Sequence, residues 1–518
     1  MENEKRGADS SRRSFLALCA GVAAEGFLGR SAYGGSCGPP PKAQPHRWKA
    51  GEGFPPLPLP GPATPLRRSE KKRPPAPPAL IGKVEYGKLV EGTDEKGHRY
   101  TYRDWTTDPS DVQSLMRQAR QALTVEYRGV QTRLEQFSWD PAELPILYLT
   151  GHEGFEFDEE IRKKLLWYLQ DGGMLLGDAC CGMKAYRDSF IQEMCAIFPR
   201  RRMLPLTADH PVFSCFHKIE EVGFIGEDQR PFRGAPFLEG VHIGCRAAVI
   251  FTPYDLSCGW DNHRHDHGRR VWSDQTGPED AIKLGINILA YCLASYQQGR
   301  QLAISKRYHE ADSEREEKFV FGQVIHGGDW DPDPDGAANL LKYMAANTAL
   351  EVKFKRAAVD LSKLETFQHP ILYLTGHDDF VLKDEEISSL RKFLGAGGVL
   401  LADACCGRKA FDAGFRREVA RVLPTAKLER LPLDSPVYRA TGTPLVKAEF
   451  TPRLKQQHPD WSEPRLEGIQ YNGITAVIYS PIDLGCAWED AEHPYGLGYE
   501  KKTGLRLGAS VLLYALTH

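Results

Sequence analysis

Residues 145–182, PILYLTGHEGFEFDEEIRKKLLWYLQDGGMLLGDACCG, and residues 370–407, PILYLTGHDDFVLKDEEISSLRKFLGAGGVLLADACCG, agree at 21 of 38 positions without a gap. Identity of that order within one chain marks an internal repeat, so the fold is built from two similar units in tandem. Each copy opens on PILYLT, an apolar run of strand length that suits a parallel strand buried on both faces. A helix follows. Asp158 can cap it, Glu159 and Glu160 sit in the first turn where the helix dipole favours negative charge, and Ile161, Leu165, Tyr168 and Leu169 share one face. The second copy repeats the face with Ile387, Leu390 and Leu394. Gly172-Gly173 ends the helix, and MLLGD or VLLAD forms the next strand. Strand, helix and strand in so short a span make a right-handed crossover with parallel strands. The Gly-His turn and the D-A-C-C-G turn then leave from one edge of the sheet, the carboxyl edge at which open α/β sheets bind ligands. His152 is therefore expected beside Asp178, Cys180 and Cys181, and His377 beside Asp403, Cys405 and Cys406.

The remaining segments repeat the same alternation. IGKVEY and FVFGQVI read as opening strands, Asp108–Leu123 and Asp335–Thr348 as helices, and Val125–Tyr127 and Val352–Phe354 as short strands. After the cysteines, Tyr186, Phe190, Met194, Ile197 and Phe198 share a helix face, matched by Phe411, Phe415, Val419, Val422 and Leu423; Pro199 and Pro424 stop both helices. Residues 214–242 and 439–470 differ most between the copies and read as loops over the sheet. AAVIFTPYDLSCGW and TAVIYSPIDLGCAW each give a further strand whose loop carries Asp255, Cys258 and Trp260, or Asp483, Cys486 and Trp488. Helices Ala281–Tyr296 and Leu505–Leu516 close the copies. The expected fold is α/β: two tandem doubly wound, three-layer domains of flavodoxin-like or glutamine-amidotransferase-like type with mainly parallel sheets, about five strands each. Their bounds are 80–298 and 319–518, joined by a charged connector at 299–318.

The 79 residues before them are of another kind. Within 1–34, SRRSFL followed by a short apolar run has the order of a twin-arginine export signal. Residues 35–79 are dense in proline and read as a disordered linker. The expected location is periplasmic or extracytoplasmic, reached by a machinery that carries folded proteins. A net charge of −3 without a basic stripe argues against nucleic acid, and no run reaches the roughly 18 apolar residues of a membrane span. Twelve cysteines in an exported chain permit disulfides, but none falls in a C-x-x-C pair.

Asp178 and Asp403, each ending a buried strand, can hold loop backbone or meet a ligand. D-A-C-C-G at a strand–turn–helix junction is similar to the nucleophile elbow of glutamine-amidotransferase-like enzymes. That makes Cys180 and Cys405 candidate nucleophiles, with His152 and His377 as bases. Asp in the place of the elbow glycine argues against it, and a bridge from Cys180 or Cys181 to Cys258, repeated from Cys405 or Cys406 to Cys486, is the structural alternative. His263, His265 and His267 alternate in HRHDH and could hold zinc or copper; the second copy offers only His493 nearby. Trp260 and Trp488 either frame a pocket or pack under their own loops.

The order Y-L-T-G-H, L-x-x-G-G-x-L-L-x-D-x-x-x-G, D-H-P-V-F and D-L-x-x-x-W resembles the bacterial family called domain of unknown function 4159, in both copies. That family resembles class I glutamine-amidotransferase-like domains and implies no established activity. Its matching positions here are His152, Asp178, Gly182, His210, Asp255 and Trp260, then His377, Asp403, Gly407, Asp483 and Trp488; Ser435 departs from the histidine of D-H-P.

The function expected is that of a non-catalytic ligand-binding or scaffolding protein of the bacterial envelope. Each copy would hold its ligand through His152, Asp178, Cys181, Asp255 and Trp260, or through His377, Asp403, Cys406, Asp483 and Trp488. The partner expected is a small molecule or an envelope protein, and the sequence names no cofactor. A cysteine-dependent hydrolase or amidase and a metal-binding protein are the alternatives.

Overall fold

A computed structural model describes residues 76–518 apart from 94–96, 200, 227, 229, 262–269, 273–278, 310–318, 349–353, 364–368 and 490–492. The first repeat is a seven-stranded sheet. Its strands are β1 (Ala79–Val84), β2 (Arg128–Thr132), β3 (Ile146–Gly151), β4 (Met174–Ala179), β5 (Leu204–Pro205), β6 (Glu239–Ile243) and β7 (Arg246–Thr252), in the order β2-β1-β3-β4-β7-β6-β5. The first five in that order run parallel, and β6 lies antiparallel to β7. Counted along the chain, the parallel strands follow 2-1-3-4-5, the order of doubly wound flavodoxin-like sheets.

Four helices cover the two faces: α1 (Asp111–Leu123), α2 (Glu159–Gln170), α3 (Lys184–Ile197) and α4 (Glu279–His309). The side-chain period of two decides which strand residue meets which layer. Ile146 and Tyr148 of β3 pack with Leu115 and Leu284 under α1 and α4. Leu147 and Leu149 pack with Leu165 and Phe190 under α2 and α3. This is why PILYLT is apolar at every position rather than at alternate ones. Asp158 caps α2, accepting the Ile161 N–H at 2.8 Å. Asp158→Ala is expected to cost about 1 kcal/mol, seen as a lower unfolding midpoint with unchanged circular dichroism.

The second repeat has the same plan. Its strands are β8 (Phe319–Val324), β9 (Phe354–Val359), β10 (Ile371–Gly376), β11 (Val399–Ala404), β12 (Glu429–Arg430), β13 (Glu467–Tyr471) and β14 (Ile474–Ser480), ordered β9-β8-β10-β11-β14-β13-β12. Its helices are α5 (Gly336–Asn347), α6 (Asp384–Gly395), α7 (Lys409–Val422) and α8 (Lys501–Thr517). The chain is thus two tandem α/β repeats. No helix among the described residues is long and apolar enough to cross a membrane.

Several boundaries differ from expectation. The strand expected at Val125–Tyr127 begins instead at Arg128, because Thr124 takes a left-handed conformation after α1 and delays it; of the one expected at Val352–Phe354, only Phe354 lies within the described residues, in β9. Helix α4 runs on to His309 and absorbs part of the charged connector. The segments expected to be loops carry structure: a three-stranded sheet of Val222–Ile225, Pro231–Gly234 and Arg270–Trp272 in the first repeat, and a helix at Pro452–Gln457 in the second. A hairpin, Leu89–Thr93 with Arg99–Arg103, stands in the first repeat and has no counterpart among the described residues of the second.

Candidate metal centre between the repeats

Strand register brings the expected turns together. Thr150 pairs with Asp178 and Thr252 with Asp178; Thr375 pairs with Asp403 and Asp403 with Ser480. In each repeat, then, the Gly-His, Cys-Cys and Asp-x-x-Cys turns leave from one edge of the sheet. The acids hold these turns in place. Asp403 accepts the N–H groups of Leu484 and Gly485, and Asp178 accepts that of Leu256. Asp483 accepts the Cys406 and Cys486 N–H groups, as Asp255 does for Cys181 and Cys258. Burial pushes the Asp178 carboxyl up to about 7. Trp260 and Trp488, expected near a ligand, are instead core side chains, each giving its indole N–H to a backbone carbonyl of the closing helix or its approach.

The paired cysteines sit on a tight turn. Cys181 has φ +53° and Cys406 φ +56°, both in the left-handed region that non-glycine residues rarely occupy. This conformation separates the two neighbouring thiols. Cys405 turns toward Asp333, its Sγ 3.6 Å from Oδ2. Cys406 turns toward two imidazoles, 3.1 Å from His377 Nε2 and 3.0 Å from His493 Nε2. The thiol beside the histidine is thus Cys406 rather than the expected Cys405. In the first repeat Cys180 likewise faces Asp108, and the His152 ring lies near Asp104, 3.9 Å from Nδ1 to Oδ1.

A residue from the other repeat completes the cluster. Cys245 lies in the two-residue turn between β6 and β7, behind Gly244 with φ +61°, and this turn reaches the carboxyl edge of the second sheet. Its Sγ stands 3.1 Å from Cys486, 3.3 Å from Cys405 and 3.2 Å from Asp333 Oδ1. Cys405 is 3.7 Å from Cys486, and Cys406 is 3.9 Å from both. Four ligands tetrahedrally placed at the zinc–thiolate distance stand about 3.8 Å apart. The donor atoms of Cys245, Cys406, Cys486 and His493 lie within 4.8 Å of one another, and so do those of Cys245, His377, Cys405 and Cys406. These sulfur separations are well beyond the roughly 2.05 Å of a disulfide, and the expected bridges to Cys258 and Cys486 are not formed among the described residues.

Charges around the cluster are opposed and close. Burial raises the Cys406 thiol, but hydrogen bonds from Cys245, Cys405 and Cys486 and the charge of His493 bring it well below the usual range. Burial opposes a charged His493, yet the Cys406 thiolate pushes it up to about 10. The Asp329 carboxylate bonds His377 Nδ1 and, against burial, holds that imidazole well above the usual range. The junction around the cluster is packed as well. The His242 ring stacks on His377 at 5.3 Å, Tyr291 stacks on Tyr495 at 5.8 Å, and the Asp209 carbonyl accepts from Arg408. His210 lies against His242 and Tyr291 rather than at the sheet edge, so Ser435, its counterpart, costs the second repeat no ligand.

Sequence reasoning missed Cys245, Asp108, Asp333 and Asp329, and gave His493 little weight. A signal existed for two of them: Asp329 lies in an Asp-Trp that occurs in both copies, at Asp104-Trp105 and Asp329-Trp330, and His493 follows Cys486 at the spacing by which His265 follows Cys258. The cluster His263, His265 and His267 lies outside the described residues.

A family model, domain of unknown function (DUF4159), matches residues 92–293 and 320–516. The chain belongs to the DUF4159 family. Each match falls on one repeat, so the protein is a tandem DUF4159 pair whose thiol cluster draws on both domains. No curated protein matches it.

Proposed function

We propose that this is an exported metal-binding protein of the bacterial envelope, in which a zinc-class ion held by Cys245, Cys405, Cys406 and Cys486 clamps the two DUF4159 domains together. The observation that carries the reading is the arrival of Cys245 from the first domain among three thiols of the second at near-tetrahedral spacing. Thiolate-rich sites select zinc and softer ions over magnesium or calcium, and a site closed by protein ligands is of structural type. His377 and His493, on the Cys406 side, supply alternative nitrogen ligands. Asp329 fixes the His377 ring, as carboxylates bonded to the far ring nitrogen do for metal-bound histidines. Export in folded form agrees with this: a buried cluster loaded in a reducing compartment is shielded from oxidation afterwards. Elemental analysis of the untagged full chain tests the reading. At least one tightly held zinc-class ion per chain is expected; an ion-free protein that takes up none on titration overturns it.

A second reading has its own observation. Cys406, His377 and Asp329 form a thiol–imidazole–carboxylate series on a left-handed turn, the arrangement of a cysteine hydrolase. Both reacting side chains are buried, Cys406 at 4 % exposure and His377 at 2 %, which favours the metal. Iodoacetamide labelling at neutral pH decides: Cys406 is expected to stay unmodified until a chelator is added, whereas fast labelling of the untreated protein supports the hydrolase.

A further inference from the structure

The first domain carries a cluster that the junction does not use. We infer that it is a second metal site, with three thiolates from Cys180, Cys181 and Cys258 and a carboxylate oxygen from Asp108. The proposal extends the metal reading to the first domain and shares no ligand with the junction.

Cys180 Sγ is 4.0 Å from both Cys181 Sγ and Cys258 Sγ, close to the roughly 3.8 Å edge of a zinc–thiolate tetrahedron. Asp108 Oδ2 lies 3.2 Å from Cys180 Sγ and 3.5 Å from Cys258 Sγ. All four residues are buried, at 5 % exposure or less. Asp255 positions two of them, accepting the N–H groups of Cys181 and Cys258, and its carboxylate lies within 4.8 Å of the three thiols. Asp108 itself stands at φ +42°, a conformation that aims its carboxylate at the sulfurs instead of capping α1. Asp261 accepts the Ser110 N–H just before the helix.

Comparison of the domains explains the difference in ligands. In the second domain Asp333, the counterpart of Asp108, lies 3.2 Å from Cys245 and 3.6 Å from Cys405, so Cys245 adds a fourth sulfur beside the carboxylate. The first domain cannot use Cys245 in this way. That residue precedes β7, whereas Asp255 and Cys258 follow it, and seven residues of strand separate the two ends by about 23 Å at ~3.3 Å per residue. In the first domain no fourth sulfur stands beside the carboxylate among the described residues, and Asp108 is left as the fourth donor. The result is one site with four sulfurs available and one with three sulfurs and an oxygen. The class of ligand is a borderline or soft divalent ion, zinc in the cell and cadmium as probe; the mixed site holds its ion less tightly.

Cadmium titration of the chelator-treated full chain tests this, followed by thiolate-to-metal absorbance and cadmium NMR. Two ions per chain are expected, with two resonances, one of them shifted as fewer sulfurs require. Cys258→Ser removes one ion and its resonance and leaves the other; Cys245→Ser does the reverse. Asp108→Asn, which retains every thiol, weakens the first-domain ion at least about 10-fold. Should Cys258→Ser fail to fold, Asp108→Asn still gives the answer. A single ion per chain that is lost in Cys245→Ser overturns this proposal and leaves the junction reading standing. Two ions that both persist in Cys258→Ser, or an affinity unchanged in Asp108→Asn, also overturn it.

Discussion

Cys245→Ser is expected to free the proposed junction ion and uncouple the domains. Removing a ligand that touches the metal exceeds the 10- to 100-fold loss typical of a group one bond further out, so affinity should fall by more than about 100-fold. The structural effect follows from where the residue sits. Cys245 is the sole thiol of the cluster supplied by the first domain among the described residues; without it the ion keeps only second-domain sulfurs, and the clamp is gone. Limited proteolysis of the loops near the junction should speed up, and chelation of the wild type should reproduce the effect. Chelation that leaves wild-type proteolysis unchanged would mean that ring stacking, as at His242–His377 and Tyr291–Tyr495, is enough to hold the domains. His493→Ala should have a smaller effect, because Cys405 and Cys486 remain.

Lys83→Met should be the most destabilising single change outside the proposed metal sites. The Lys83 ammonium, 3 % exposed, reaches Asp111 Oδ2 at 2.7 Å and the carbonyls of Thr107 and Asp108. Asp111 is fully buried and also accepts from Tyr148. Removing one partner of a buried pair strands the other charge, at a cost of about 3–5 kcal/mol, read as a drop in the unfolding midpoint of the first domain at neutral pH. Burial already pushes the Asp111 carboxyl up to about 6, against the pull of Lys83. An acid with a raised folded pKa takes up a proton more readily folded than unfolded, so its relative stabilisation lies at low pH and is lost as pH rises through 6. The cost of Lys83→Met should therefore shrink toward pH 4, where Asp111 is neutral in both proteins. The second domain shows the uncharged solution: Gln323 stands in the place of Lys83 and Gly336 in that of Asp111. Glu489 accepts the N–H groups at the start of α5. Lys83→Gln with Asp111→Gly should accordingly be less harmful than Lys83→Met.

Much of this arrangement is legible in the sequence because it is local. The apolar PILYLT runs, the Asp158 cap and the crossover between parallel strands all follow from residues within about one supersecondary unit. The meeting of the His, Cys-Cys and Asp-x-x-Cys turns at one edge follows from strand direction alone. What was not legible depends on contacts between distant residues. Cys245 is unremarked in its hairpin, because its partners lie in the other domain and nothing in its spacing announces them. Asp108 and Asp333 stand where helix caps stand, and only the left-handed turn of Asp108 and the position of Cys245 separate a cap from a sulfur neighbour. For Trp260 and Trp488 the sequence left open a pocket wall or packing under their own loops; the closing helices supply the carbonyl acceptors that draw both indoles into the core.

The turn that carries Cys245 has a counterpart in Asn472-Gly473, between β13 and β14, where a side chain added at Gly473 would meet open space. A head-to-tail contact in which each unit offers a sulfur to the next would, if repeated unchanged, build an open fibre. This molecule takes a single step of that series. The first unit donates and the second receives, but the second has no sulfur at its own tip to pass on, so growth by this contact stops at a pair within one chain.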